Sequence, residues 1–214
     1  MSVKILVTDP LSDKGIELLK KSTFEVIYKP DDSIDDISLV LNDIDGWIIR
    51  SGTTILKEHI LKAKKLQIIG RAGVGTDNID IESATLNGVV VMNVPDGNTV
   101  SAAEHTMAMI SALSRNIQLG HMGLMNGSWD RHKLVGNELR RKTLGVVGLG
   151  KIGREVIKRA LSFEMDILGF DPYVSQEHFD ETEIKVVSID ELTRNSDYIS
   201  LHVPLNDATR DLFD

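Results

Sequence analysis

No cysteine occurs among the 214 residues, which excludes disulfides, thiolate zinc sites, iron–sulfur clusters and thiol nucleophiles from this stretch and is compatible with a reducing compartment. Basic charge is also short. Lys and Arg number 24 against 32 Asp and Glu, and the net −8 is the wrong sign for gripping phosphate backbones by bulk electrostatics. Nucleic acid is therefore not an expected partner. No apolar run approaches the ~18 residues of a membrane helix, and the start MSVKILVTDP reaches Asp9 and Pro10 before any signal-peptide core develops. The expectation is a cytoplasmic protein with no membrane partner. HExxH and clustered His/Asp spacings are missing too, so no metal is expected. What is present is ordinary globular material, 42% apolar and 26% charged with only 5 Pro, enough for one large or two modest domains.

Short β-branched apolar runs alternate with amphipathic stretches from the first residues. Strands are predicted over 3–7, 24–28, 47–49, 66–69 and 89–92, and helices over 11–21, 34–41, 55–65 and 79–86. Short apolar strands separated by helices imply an α/β fold with a parallel sheet covered on both faces. Turn residues and a proline collect at 93–98, which places a boundary between a domain at 1–97 and another at 98–214. Residues 99–119 contain neither Pro nor Gly, and Ser101 with Glu104 has capping-box spacing, predicting one long helix. A second rhythm follows, with strands at 143–147, 166–170, 184–187 and 198–202 and helices at 152–161 and 189–193. A doubly wound nucleotide fold needs two βαβαβ halves, and about one half plus the strand at 198–202 fits here. This domain is thus expected to be truncated, with strand 198–202 fourth in the order 3-2-1-4-5-6 and left as an open edge.

Gly148, Gly150 and Gly153 directly follow the apolar run 144–147 and open a helical pattern. Gly148 permits the tight turn, Gly150 lets the backbone approach a pyrophosphate, and Gly153 allows close packing of helix and strand. The diphosphate would rest on the helix N-terminus, where free N–H groups and the macrodipole favour negative charge. Asp171 lies 18 residues beyond Gly153 at the end of strand 166–170. A carboxylate there can accept from both ribose hydroxyls and repels a 2′-phosphate, pointing to NAD over NADP; the alternative is a turn former before Pro172.

Arg50 and Arg71 each sit just past the carboxyl end of a predicted strand, the edge where open α/β sheets bind ligands, and each precedes small residues whose N–H groups can face an anion. Two guanidinium forks in an acidic protein point to a small anionic substrate; the alternative is two solvated surface arginines. Asn98 either caps the long helix or touches a ligand in an interdomain cleft. Among the histidines, His105 reads as a helix-packing or surface residue, His132 as part of a basic surface cluster and His202 as a wall for an adenine. None is nominated as a base.

GRAGVGTDNID at 70–80, NTVSAAEHT at 98–106, GVVGLGKIGR at 145–154 and HVPL at 202–205 together resemble the NAD-dependent D-2-hydroxyacid dehydrogenases, and within that family the branch acting on 3-phosphoglycerate. The resemblance covers essentially the whole chain. It implies a flavodoxin-like substrate domain built from both chain ends, a Rossmann NAD domain, a small anionic 2-hydroxy acid as substrate, and a homodimer with contacts around the long helix and the arm after it. It implies that Arg50, Ser51, Arg71, Gly73, Val74 and Asn98 hold the substrate's carboxylate and phosphate. Lys151 and Ile152 would meet the diphosphate, Asp171 the adenosine ribose, Val203 and Pro204 the adenine side, and Val74 the nicotinamide end, while Arg131 would reach the partner subunit's site. The family's catalytic Arg, His and acidic residue lie beyond position 214 in relatives, so no catalytic residue is assigned and this stretch alone is expected not to turn over. The rivals are a glyoxylate or hydroxypyruvate reductase and an NAD(H)-sensing corepressor-like binding protein.

Overall fold

β1 (Lys4–Val7), β2 (Glu25–Tyr28), β3 (Gly46–Ile49), β4 (Ile68–Arg71) and β5 (Val90–Met92) pair in parallel in the order β2-β1-β3-β4-β5. That order is flavodoxin-like, with its switch point between β1 and β3. The computed structural model describes residues 2–34, 36–180 and 183–213, and its contacts divide the chain into units at Met1–Gly97 and Asn98–Asp214. The outermost residues of both predicted domains, Met1 and Asp214, lie outside the described residues.

The first unit's core forms because β1, β3 and β4 turn Leu6, Trp47, Ile49 and Ile69 toward one face, where Ile60 of α2 (Lys57–Lys62) and Ala84 of α3 (Ile81–Leu86) meet them. Trp47 is fully buried, and its indole N–H donates to Thr8 Oγ1 at 2.9 Å, so no polar atom of the ring is orphaned. α1 (Asp13–Lys21) starts where Ser12 Oγ accepts from Gly15 N and places Asp13 in its first turn and Lys20 and Lys21 in its last, matching the macrodipole. The helix predicted at 34–41 is not found, and its residue 35 lies outside the described residues. Turns lead instead into a 3-10 turn at Leu41–Asp43. Asp36 accepts from both the N–H and the hydroxyl of Ser33, and such local bonds compete with helix formation.

Lys4 and Lys65 both donate to Asp43, tying the amino edge of the sheet together. The hydrogen bond from Lys4, followed by that from Lys65, pulls the Asp43 carboxyl from 3.8 down to about 2. A depressed folded-state pKa stabilises above the unfolded value and is lost as pH falls toward the folded one. Asp43→Asn is therefore expected to melt below the unaltered protein at pH 5 and to converge with it near pH 2. Equal melting temperatures at pH 5 would show that the pairs contribute nothing.

In the second unit, β6 (Thr143–Val147), β7 (Asp166–Phe170), β8 (Lys185–Val186) and β9 (Tyr198–Leu201) form a parallel sheet ordered β8-β7-β6-β9. The fourth strand lies beside the first, as the sequence predicts, and β9 is the edge, with Ile199 and Leu201 partly exposed. The single helix predicted at 99–119 is two: α4 (Thr99–Ser114) and α5 (Ile117–Met125). Asn116 breaks them apart in a left-handed conformation (φ 52°), which Asn tolerates, while Asn137 N donates to the Ser114 carbonyl and Asn116 Nδ2 to that of Val135. α4 packs Ala103, Met107 and Ile110 against Val156, Ile157 and Ala160 of α6 (Lys151–Ser162). The predicted capping box is replaced. α4 begins at Thr99, Ser101 Oγ donates to the Asn98 carbonyl, and Glu104 pairs with Arg159. α7 (Ile189–Asn195) covers β6 and β7 through Leu192. Among the described residues no helix is long and apolar enough to cross a membrane.

Candidate functional site

The carboxyl end of β6 turns sharply at Gly148, whose φ is +94°. A side chain there would meet the His202 carbonyl and Val203, so both backbone strain and sterics require glycine. A Cβ on Gly153 would overlap the Gly148 carbonyl, which is how α6 seats against the loop. A Cβ on Gly150 would meet nothing, leaving open space before the helix. Gly150 is the N-cap of α6 and brings no side-chain cap, so no side chain of its own fills the space before the first turn, which Lys151 and Ile152 open. A helix N-terminus with its aligned dipole and open space at the cap fits a diphosphate.

Asp171 follows β7 on the neighbouring strand. Its Oδ2 accepts from Leu149 N and its Oδ1 from Tyr173 N, both at 2.9 Å. The carboxylate thus shapes the glycine loop as well as the turn after β7, and each oxygen keeps a second lone pair for a sugar hydroxyl. Arg154, which the sequence reading passed over, donates to the Leu149 carbonyl at 2.9 Å and lies 4.6 Å over the Phe179 ring, bracing the same loop. Val203 and Pro204 come soon after β9, and Val203 lies beside Gly148. His202 shares a 2.9 Å hydrogen bond with Ser200, and burial lowers its pKa.

In the first unit, Ile49 pairs with Arg71 across β3 and β4, so Arg50 and Arg71 end neighbouring strands on the carboxyl edge. Arg50 is exposed and donates to the Pro10 carbonyl at 3.3 Å. The Arg71 guanidinium folds over Gly73, where a Cβ would collide with it, and its buried Nε has no hydrogen-bond partner among the described residues. The turns differ in one respect from expectation. Ala72 N donates to Ile49 and Gly73 N to Arg71, while Arg50 N and Thr53 N donate to Asp9, so these four amides already have partners. Ser51 and Val74 flank them, and the Val74 carbonyl accepts from Asn93. An apolar cavity of about 500 Å³ beside Arg71 is lined by Ile5, Trp47, Ile68 and Met92 and does not suit a small dianion.

Asn98, in the second unit, is exposed and stands at the N-cap position of α4, where its carbonyl accepts from Ala102 N and Ser101 Oγ while its side chain makes no capping bond. Arg131 lies exposed in a 3-10 turn (Arg131–Leu134) after α5. His105 and His132 are likewise exposed. Asp9 and Asn78 are the polar residues missed at the first unit's edge. Asp9 lies two residues past the strand predicted at 3–7, and Asn78 falls within the GRAGVGTDNID motif; neither position by itself indicates a task.

Residues 107–214 match the family described as D-isomer specific 2-hydroxyacid dehydrogenase, NAD binding domain. The chain is 46% identical over 97% of its length to the D-3-phosphoglycerate dehydrogenase of Methanocaldococcus jannaschii, covering 40% of that protein. It is 40% identical over 98% to the enzyme of the same name from Bacillus subtilis, covering 39%. The chain therefore spans about 40% of the length of these curated relatives. Among solved structures, a Staphylococcus aureus NAD-dependent formate dehydrogenase in complex with NAD matches with a TM-score of 0.89 at 33% identity, over 99% of this chain and 68% of that one. With a parallel flavodoxin-like unit, a glycine loop opening α6 and half of its residues matched to the family's nucleotide domain, the chain belongs to the D-isomer specific 2-hydroxyacid dehydrogenases.

Proposed function

We propose that this protein oxidises D-3-phosphoglycerate to 3-phosphohydroxypyruvate, with NAD as the hydride acceptor. The observation that carries the reading is the pair of arginines ending adjacent parallel strands, one with an unsatisfied buried Nε, which suits a substrate with a carboxylate and a phosphate. Similarity to enzymes of that name supports it. Arg50, Ser51, Arg71, Gly73, Val74 and Asn98 hold the substrate in this reading. Gly148, Gly150, Lys151, Ile152 and Gly153 cradle the diphosphate, Asp171 holds the adenosine ribose, and Val203 and Pro204 flank the adenine. Bound NAD would supply the hydride-accepting chemistry for oxidation at C2. The C2 hydroxyl proton goes to a base, a role given to none of the described residues.

The same reading places the protein in cytoplasmic serine biosynthesis as a homodimer. The exposed Leu119, Met122, Leu124 and Met125 of α5 support self-association, with Arg131 on the adjoining arm reaching the partner subunit's site. Light scattering checks the dimer. Steady-state NADH formation by the full-length protein with 3-phosphoglycerate, glycerate and lactate checks the substrate. The highest kcat/KM is expected for the phosphorylated acid, and a preference for glycerate would instead favour a hydroxypyruvate reductase. Cofactor binding without turnover would favour a sensor.

A further inference from the structure

We infer that Asp9 and Asn78 act together as positioning residues that set the Arg50–Thr53 turn for substrate binding. The inference rests on the functional reading above, in which Arg50 and Ser51 hold the substrate. The turn leaves β3 and ends at an isolated parallel bridge between Ile55 and Ile79 outside the sheet, so no ladder bonds hold residues 50–53. Four main-chain groups of Arg50 and Thr53 are instead held by two side chains. The N–H groups of Arg50 (2.7 Å) and Thr53 (3.2 Å) donate to the one oxygen Asp9 Oδ2. The carbonyls of the same two residues accept from the one nitrogen Asn78 Nδ2, at 2.7 and 2.6 Å.

Asp9 and Asn78 are 6% and 9% exposed, so these bonds are made out of bulk water. Asn78 Oδ1 is buried with no partner among the described residues, a cost a merely space-filling residue would not carry. Its main chain is anchored independently, because Ile55 N donates to the Asn78 carbonyl. Thr53 adds a hydroxyl bond to Thr8 Oγ1 at 2.9 Å, and Thr8 in turn takes the Trp47 indole N–H. The turn is thus referenced to the segment after β1 and to the segment before α3. A carboxylate at 78 would aim oxygen at oxygen, which explains an amide there, while only an acceptor serves at 9.

The test uses the protein in its full-length form, with KM for 3-phosphoglycerate, kcat, NADH affinity by fluorescence and hydrogen exchange measured on each variant. Asn78→Ala, Asn78→Asp and Asp9→Ala are expected to raise KM about tenfold or more, given two hydrogen bonds lost in each case. Changes in kcat should stay within about threefold, NADH affinity should not move, and exchange should rise at residues 50–54 alone. Asp9→Asn keeps an acceptor and should restore a near-normal KM. If an alanine variant does not fold, Asn78→Ser, which keeps one donor, is read by the same criteria. Folded variants with unaltered KM, or KM and NADH affinity worsening together, overturn the inference alone. No turnover of any 2-hydroxy acid by the unaltered protein overturns the functional reading and this inference with it.

Discussion

Replacing Asp171 with alanine is expected to weaken NADH binding about 100-fold, because charge-assisted hydrogen bonds contribute roughly 1.5 to 3 kcal/mol each and two ribose hydroxyls lose their acceptor. The side chain also orders its own surroundings through Leu149 N and Tyr173 N, so its removal is expected to loosen the glycine loop proposed to cradle the diphosphate. Asp171→Asn separates these contributions. An amide keeps one acceptor oxygen but drops the charge, so NADH affinity should be intermediate. NADPH affinity should rise, since the repulsion of a 2′-phosphate disappears. Fluorescence titration reads both. NADH binding by Asp171→Ala within twofold of the unaltered protein would remove Asp171 from the site.

The second large effect is expected at Arg71. Arg71→Ala should raise KM for 3-phosphoglycerate about 100-fold while leaving NADH affinity within twofold, because a bidentate guanidinium contact to an anion is lost and the glycine loop lies in a different unit. The side chain sits over Gly73, and its buried Nε is a donor with no partner among the described residues. Arg71→Lys should recover only a minor part, since a point charge cannot reproduce the planar fork. An unchanged KM in Arg71→Ala, measured by NADH formation, would leave the arginine pair without its proposed task.

Strand positions and the glycine loop were readable because their causes are local: apolar periodicity within a few residues, and steric limits at Gly148 and Gly153. The break at Asn116 was not, because it is set by the return of residues 135–137, whose Asn137 amide reaches the Ser114 carbonyl from beyond the next helix. The predicted helix at 34–41 failed for a local reason, the competing Ser33 and Asp36 bonds, which periodicity alone does not weigh. Arg50 and Arg71 were legible as strand-end cations, yet the engagement of the amides beside them depends on the register of β3 against β4 and on a carboxylate arriving from β1. Asn78 was invisible for the same reason. Nothing in its neighbourhood announces that the fold will bring two carbonyls to one amide nitrogen.

In the proposed reading, α6 and Asp171 together form a dinucleotide site selective for an unphosphorylated ribose. Parallel calorimetric titrations of the protein with NADH and NADPH test it most directly. Saturable one-site binding of NADH, with NADPH weaker by about 100-fold, is the predicted result. No heat from either nucleotide, or equal affinity for both, would contradict it.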